Sequence, residues 1–239
     1  WNVETKVIDA WGNVSILQDE TVLTSEKLTY LIDEDLAQFR GAVVQLTDKD
    51  HNTLRTRYLD YNTADSVAVF QRGGSMRDKD GQIIESLNGT YDSKIKTFTF
   101  ENDVNMFTDS IFVKTRKLVY QSDYNLATFS LQTDVCQEEN MLSANGGWYD
   151  RGRELFFFSD DVHIMSEDQE GWSDSLYFYG SKDYLPASIE AFLNSLRSFS
   201  SASEDLRARA PAALLPFSAC ASALAAKTAY SATIAFTSS

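Results

Sequence analysis

Proline is nearly missing from this chain. There are three in 239 residues, at positions 186, 211 and 216, and none before them. A stretch of that length without proline can pair its backbone without interruption, and it is neither collagen-like nor a polyproline rod. Cysteine is equally scarce. Cys136 and Cys220 are too few for a disulfide framework or a cysteine-rich zinc site, and they read as two unpaired small hydrophobes. The two histidines, His51 and His163, supply neither an HExxH motif nor a ligand cluster. Positive charge is in deficit, with 21 Lys and Arg against 35 Asp and Glu, a net charge of −14. Such a chain lacks the basic face that nucleic acid demands, and it is repelled by anionic membranes. No run of eighteen apolar residues exists, so no helix spans a bilayer. GxSxG, CxxC and a glycine-rich phosphate loop are all absent.

What is present is a repeat. Tyrosines stand at 30, 61, 91, 120, 149 and 179. Nine residues after each of the first five comes a phenylalanine: Phe39, Phe70, Phe100, Phe129 and Phe158. Seven residues before each tyrosine comes a large apolar residue, from Leu23 and Leu54 through Ile84, Val113 and Leu142 to Trp172. Five before it comes a small or polar one: Ser25, Thr56, Ser86, Thr115, Ala144, Asp174. Three anchors in phase over six copies define a unit of about thirty residues.

Each unit reads as two strands. In the first unit these are 23–31, with Leu28 and Tyr30 alternating, and 36–46, with Ala37, Phe39 and Val43 assigned to one face. Polar clusters such as Asp33-Glu34-Asp35 separate them. Leu23 and Ser25 are one residue out of phase with Leu28 and Tyr30, and the offset recurs. A one-residue slip turns side chains to the other face. The strands must therefore bend or bulge near Glu26-Lys27, Arg57-Tyr58 and Arg116-Lys117. The fold class is all-β, a roll or V-shaped trough of about six two-strand repeats.

Residues 1–13 lead in, with Val7-Ile8 as a first strand, and units follow at 14–41, 42–72, 73–102, 103–132, 133–160 and, truncated, 161–180. Gly73-Gly74, Gly81, Gly89 and Gly146-Gly147 mark bulges or tight bends. At Pro186 the composition changes: fifteen alanines lie in 187–239 and seven in all that precedes. The division is a β-repeat domain over 1–183 and an Ala/Ser-rich tail over 184–239. Ile189, Phe192, Leu193, Leu196 and Phe199 place an amphipathic helix at 188–199, and the tail is expected to cover apolar surface.

Asp160-Asp161 with His163 is the one tight cluster of catalytic residue types, and it reads as a solvated turn. His51 in the Asp48-Lys49-Asp50 turn reads the same way. No catalytic, metal or cofactor site emerges, and a non-enzyme is expected. What remains is an apolar row: Leu28, Tyr30, Phe39, Leu59, Tyr61, Phe70, Tyr91, Phe100, Leu118, Tyr120, Phe129 and Phe158. In a closed roll this row is core. In an open trough it is a groove for an amphiphile, where an acyl chain of about a dozen carbons gains roughly 10 kcal/mol gross. A sealed structural or adhesive module and a β-solenoid enzyme acting on polysaccharide are the competing readings.

The units resemble the OstA-like family, the periplasmic bridge proteins of lipopolysaccharide transport. The resemblance lies in Gly12-Asn13-Val14, Leu23, Ser25, Leu28, Tyr30, Ala37, Phe39, Gly41 and Val43, and it recurs in Leu54, Thr56, Leu59, Tyr61, Ala68, Phe70 and in Val104, Leu118, Tyr120, Ala127, Phe129. It covers about residues 12–180. It implies an antiparallel β-jellyroll or twisted V whose inner face holds lipid chains, no cofactor, and a periplasmic location after removal of an export signal. The implied partners are lipopolysaccharide or another amphiphilic lipid, and other β-jellyroll proteins of the same transport, or further copies of this chain, stacked edge to edge. The Ala/Ser-rich tail and the charge of −14 depart from the family pattern.

Overall fold

A computed structural model describes residues 4–18, 20–108, 110–137, 140–166 and 170–179. The expected tail and its helix at 188–199 lie outside the described residues. Sixteen antiparallel-paired strands are described, with short 3-10 turns at Ile32–Glu34 and Ser122–Tyr124. The chain is all-β. It divides into two compact units, residues 1–106 with 116–127, and residues 107–115 with 128 onward.

The first unit contains β1 (Val7–Gln18), β2 (Thr21–Leu31), β3 (Leu36–Thr47), β4 (Thr53–Asn62), β5 (Val67–Phe70), β6 (Gly74–Arg77), β7 (Ile83–Ser86), β8 (Asn88–Asp92) and most of β9 (Thr97–Phe107). Their order is β1-β2-β3-β4-β5-β8-β9, and the short β6 and β7 bridge β4 to β9. β10 (Phe112–Gln121) and β11 (Leu126–Phe129) each contribute to both units. The second unit holds β12 (Thr133–Gln137), β13 (Asn140–Ala144), β14 (Gly146–Asp150), β15 (Leu155–Met165) and β16 (Glu170–Tyr179), ordered β14-β15-β13-β12 with β16 also on β15.

The slip in hydrophobic phase is a physical break in register. It falls between Trp11 and Val14 in β1, between Thr24 and Lys27 in β2, between Arg40 and Val44 in β3, and between Ser159 and Val162 in β15. β4 changes partner instead: Leu59–Asn62 pairs with β5 and Thr53–Thr56 with β6. The bends expected near Glu26-Lys27 and Arg57-Tyr58 are therefore present. Val43 is corrected. It lies within the β3 bulge and is 55% exposed, and Val44 takes the core position.

Asp160-Asp161 is likewise not a turn before a strand. Both residues sit inside β15 as its bulge, at φ 64° and 56°. Asn102-Asp103 in β9 has the same left-handed pair, φ 63° and 52°, and Gly12 sits in the β1 bulge at φ 76°. Asp and Asn tolerate this conformation better than other side chains do. That explains short acidic residues in mid-strand.

In the first four repeats the anchor five before the tyrosine has a structural task at these bends. Ser25 Oγ donates to Lys27 O, and Ser86 Oγ to Asn88 O. Thr56 Oγ1 donates to Gly73 O, and Thr115 Oγ1 to Gln132 O. A bulge takes backbone groups out of the ladder, and a nearby hydroxyl satisfies a carbonyl that burial would otherwise penalise.

Gly89 and Gly147 stand where the first, second and fourth repeats carry leucine two before the tyrosine. A Cβ on Gly89 would lie 2.5 Å from both the Phe70 ring and Thr99 O, and one on Gly147 would lie 2.3 Å from Phe157 O. The same two units carry phenylalanine where the others carry alanine: Phe98 and Phe156 replace the equivalents of Ala37 and Ala68. Each stacks on its cross-strand tyrosine, Phe98 on Tyr91 at 4.2 Å and Phe156 on Tyr149 at 4.0 Å. A large residue moved one pair along the row, and the core stayed filled. Gly89→Ala is expected to lower the unfolding free energy by about 2 kcal/mol or more, while Gly152→Ala, which meets only Asp150 Oδ1 at 3.4 Å, stays within about 0.5 kcal/mol of wild type. Urea unfolding measures both, and an unaffected Gly89→Ala protein would contradict the packing described.

Candidate functional site

In the first unit the apolar row becomes two cross-strand ladders. One runs Leu28, Phe39, Leu59, Phe70, Gly89, Phe100, each residue directly opposite the next. The other runs Tyr30, Ala37, Tyr61, Ala68, Tyr91, Phe98. Leu118 and Tyr120 lie in the same unit and are buried. Phe129 and Phe158 belong to the second unit, with ring centroids 6.2 Å apart. Of the twelve residues read as a groove, Tyr30 is half-buried, and each of the other eleven is exposed by 6% or less. Within the first unit the two ladders are continuous, and all eleven of those positions are closed to water.

Its closure comes from the bends. The long strands double back, so that their two ends meet within the first unit. Gln18, at the far end of β1, donates through Nε2 to Thr63 O at 3.1 Å. Lys49, in the turn after β3, approaches Asp123 at 3.9 Å. Thr63 also shares a hydroxyl hydrogen bond of 3.2 Å with Tyr30, on its own side of the seam. This seam is made of side-chain contacts, which are individually weak where exposed.

The seam also has a buried polar end. Asp48 accepts from the backbone N–H of Asp50 and Asn52 through Oδ1, and from the Asn52 amide through Oδ2. The Asp78 turn repeats the backbone pattern with Asp80 and Gln82. Burial pushes the Asp48 carboxyl above its ordinary range, against the lowering hydrogen bonds from Asn52. Burial, with Asp48 adding its charge, also pushes the Tyr91 hydroxyl well up. The Tyr61 hydroxyl is buried without a hydrogen-bond partner among the described residues. His51 is an exposed turn residue at φ 65°, as the sequence suggests.

In the second unit a polar row crosses the sheet: Lys114, Asp134, Ser143, His163, Trp172, each opposite the next. Sequence reading missed it, because its members come from five strands and share no local motif. His163 parts company with Asp160-Asp161. It is buried, its Nε2 lies 2.8 Å from Glu170 Oε1, and its ring stacks on Trp172 at 4.8 Å. The trio of Asp134, Ser143 and His163 has the residue types of a nucleophile relay in the wrong order, since serine stands where histidine must. Ser143 is also buried. Burial raises the Asp134 carboxyl, and hydrogen bonds from Ser143 and Gln132 oppose the shift. Cys136 lies in this unit and is not a free thiol, which corrects the unpaired reading for it; Cys220 is outside the described residues. Among the described residues no group of three metal-ligating side chains is present, and no helix is long and apolar enough to cross a membrane.

A family model described as OstA-like protein matches residues 1–114. No curated protein matches the chain. Among solved structures, the crystal structure of LptH from Pseudomonas aeruginosa, the LptA-homologous periplasmic component of a lipopolysaccharide transport device, is 12% identical with a TM-score of 0.36, over 52% of this chain and 81% of that one. The TCP10 domain of Danio rerio CPAP in complex with a STIL peptide is 8% identical with a TM-score of 0.13, over 71% and 98%. At those scores neither likeness establishes a shared fold.

The Asp48 turn yields a pH prediction. A carboxyl whose folded pKa lies above its unfolded value stabilises the fold while protonated, and that contribution is lost as pH rises through the folded pKa. Asp48→Asn keeps the turn's Oδ1 acceptor and does not titrate. The variant is expected to gain stability relative to wild type as pH goes from about 4 to about 7, read as a growing difference in urea midpoints. An unchanging difference would contradict it.

Proposed function

We propose, from the premise that residues 1–114 are OstA-like, that this chain is a non-enzymatic periplasmic bridge protein of lipopolysaccharide transport. The observation that carries the reading is the paired ladder, an unbroken apolar track from Leu28 to Phe100 across six strands. Acyl chains enter it when the seam of Gln18, Thr63, Lys49 and Asp123 parts. Parting that seam breaks side-chain contacts and leaves the backbone ladder intact. The ligand is an amphiphile, its chains along Leu28, Phe39, Leu59, Phe70 and Phe100, and its head outside. Partners of the same fold, or a second copy, add at the outer edge of β1, which pairs only with β2 among the described residues.

A second reading has its own support. Eleven buried residues of the apolar row suit a sealed structural module equally well. A benzophenone side chain at Leu59 or Leu118, against a control at the exposed Arg55 of β4, separates the two in cells that make lipopolysaccharide. The transport reading expects glycolipid adducts at the ladder positions and none at Arg55. Bridging Q18C and T63C with a short crosslinker is expected to abolish them by locking the seam. A folded protein with no adduct at any ladder position would leave the sealed module standing.

A further inference from the structure

Part of the second unit's sheet is buried on both faces. Val113, Val135, Leu142 and Ile164, each opposite the next, form a buried row on one face. One residue along each strand, side chains point to the other face. There Phe112, Cys136, Met141 and Met165 stand opposite one another in the same order. Phe112 is 4% exposed, Cys136 0% and Met141 2%, and Ser143 and His163 on the same face are buried too. Phe112 and Met141 stand eight residues before the tyrosines of the fourth and fifth repeats. At that position the first two repeats carry Val22, 38% exposed, and Thr53, half-buried. The outer face thus turns apolar and covered in the later repeats.

Side chains on a sheet stand upright beside one another and cannot cover each other's outward ends. Among the described residues, the partly buried hydrophobics packed against Phe112, Cys136 and Met141 are Phe107 and Met165, both from the same sheet. The Phe107 and Phe112 rings lie 5.0 Å apart. The cover must come from outside these strands, and Cys136 identifies it. Cys136 is disulfide-bonded, and the chain has one other cysteine, Cys220.

We infer that the C-terminal segment 211–226 covers this outer face and is fixed there by a Cys136–Cys220 disulfide. Its sequence, PAALLPFSACASALAA, holds no charged and no amide side chain, so laying it on an apolar face desolvates no ion. Leu214, Leu215, Phe217 and Leu224 supply the apolar bulk, and Arg209 and Lys227 stand just outside it. Reach is ample. Cys220 follows Tyr179, the end of β16, by 41 residues. That length extends to about 135 Å, against a path over the sheet of roughly 50 Å. A cysteine so tethered meets Cys136 at an effective concentration of roughly millimolar order, which favours it over a second copy. The bond forms by exchange with a disulfide donor such as oxidised glutathione. One S–S bond forms between the two Sγ atoms and one breaks in the donor, whose two sulfurs take up the two electrons and two protons. Such a bond persists in an oxidising compartment. The inference concerns the outer face alone and is independent of what the ladder binds.

The test is mass spectrometry of the full chain, made with photo-methionine and purified without reductant. Trypsin is expected to release peptide 118–151 joined to peptide 210–227, and reduction to separate them. Diazirine adducts from positions 141 and 165 are expected to fall in 210–227. Those from Met76, in the core of the first unit, are expected to fall elsewhere. Dithiothreitol is expected to lower the thermal midpoint by about 5 °C or more. Cys220→Ser is expected to start at the lowered value and to show no further change with reductant. Two free thiols would overturn the inference. A covalent dimer on a non-reducing gel would overturn it in favour of a second copy. Lipid adducts at position 141 would overturn it in favour of an amphiphile on this face. A bond without a midpoint shift, or with adducts confined to the sheet, would overturn the docking of the segment.

Discussion

The one-residue slip within each long strand is the constraint on which the rest depends. Two stretches of a strand cannot both bury their apolar residues on one face when they are out of phase. A bulge restores the phase and turns the strand at the same point. From that turn follow the doubled-back strands, the meeting of Gln18 with Thr63 and of Lys49 with Asp123, and the enclosure of the ladder. The hydroxyl row of Ser25, Thr56, Ser86 and Thr115 belongs to the same account, because the bulge creates the carbonyls those groups satisfy.

The ladder is built to a volume rule rather than to a residue rule. Leucine opposite phenylalanine beside tyrosine opposite alanine fills the first two units. Glycine opposite phenylalanine beside tyrosine opposite phenylalanine fills the third. The fifth repeat returns to the latter scheme with Gly147, Phe158, Tyr149 and Phe156. The tyrosine is common to both schemes. It can keep one end in the apolar row while its hydroxyl reaches the turn end, as Tyr30 reaches Thr63 and Tyr120 reaches Asn125.

Much of this was legible in the sequence, for a stated reason. Strand pairing between successive repeats preserves register, so a period in sequence is a row in space, and the tyrosine and phenylalanine anchors mark the rows directly. The bends at Glu26-Lys27 and Arg57-Tyr58 follow from phase alone. What escaped reading depends on conformation or on distant strands. The left-handed pair at Asp160-Asp161 looks like a turn because turns and bulges favour the same short acidic residues. Val43 was assigned inward because the second slip in β3 has no tyrosine to mark it. The row of Asp134, Ser143 and His163 needs the pairing of β12, β13 and β15, which no local spacing encodes. Whether the ladder is open or closed was not legible, since both arrangements require the same apolar row.

The distribution of charge follows from the same geometry. Turn ends favour short acidic residues that can accept their own backbone N–H groups, as Asp48, Asp78 and Asp92 do. Each repeat adds such turns, so a longer array becomes more negative without any functional demand for that charge. The bends follow a related rule. Their left-handed positions take Asp and Asn, as at Asn102-Asp103 and Asp160-Asp161, while the paired outer positions beside them carry long side chains that can lie along the sheet, as Lys27, Arg40 and Tyr58 do. Short acidic residues therefore mark turns and bulges alike, and the net charge of −14 reflects both.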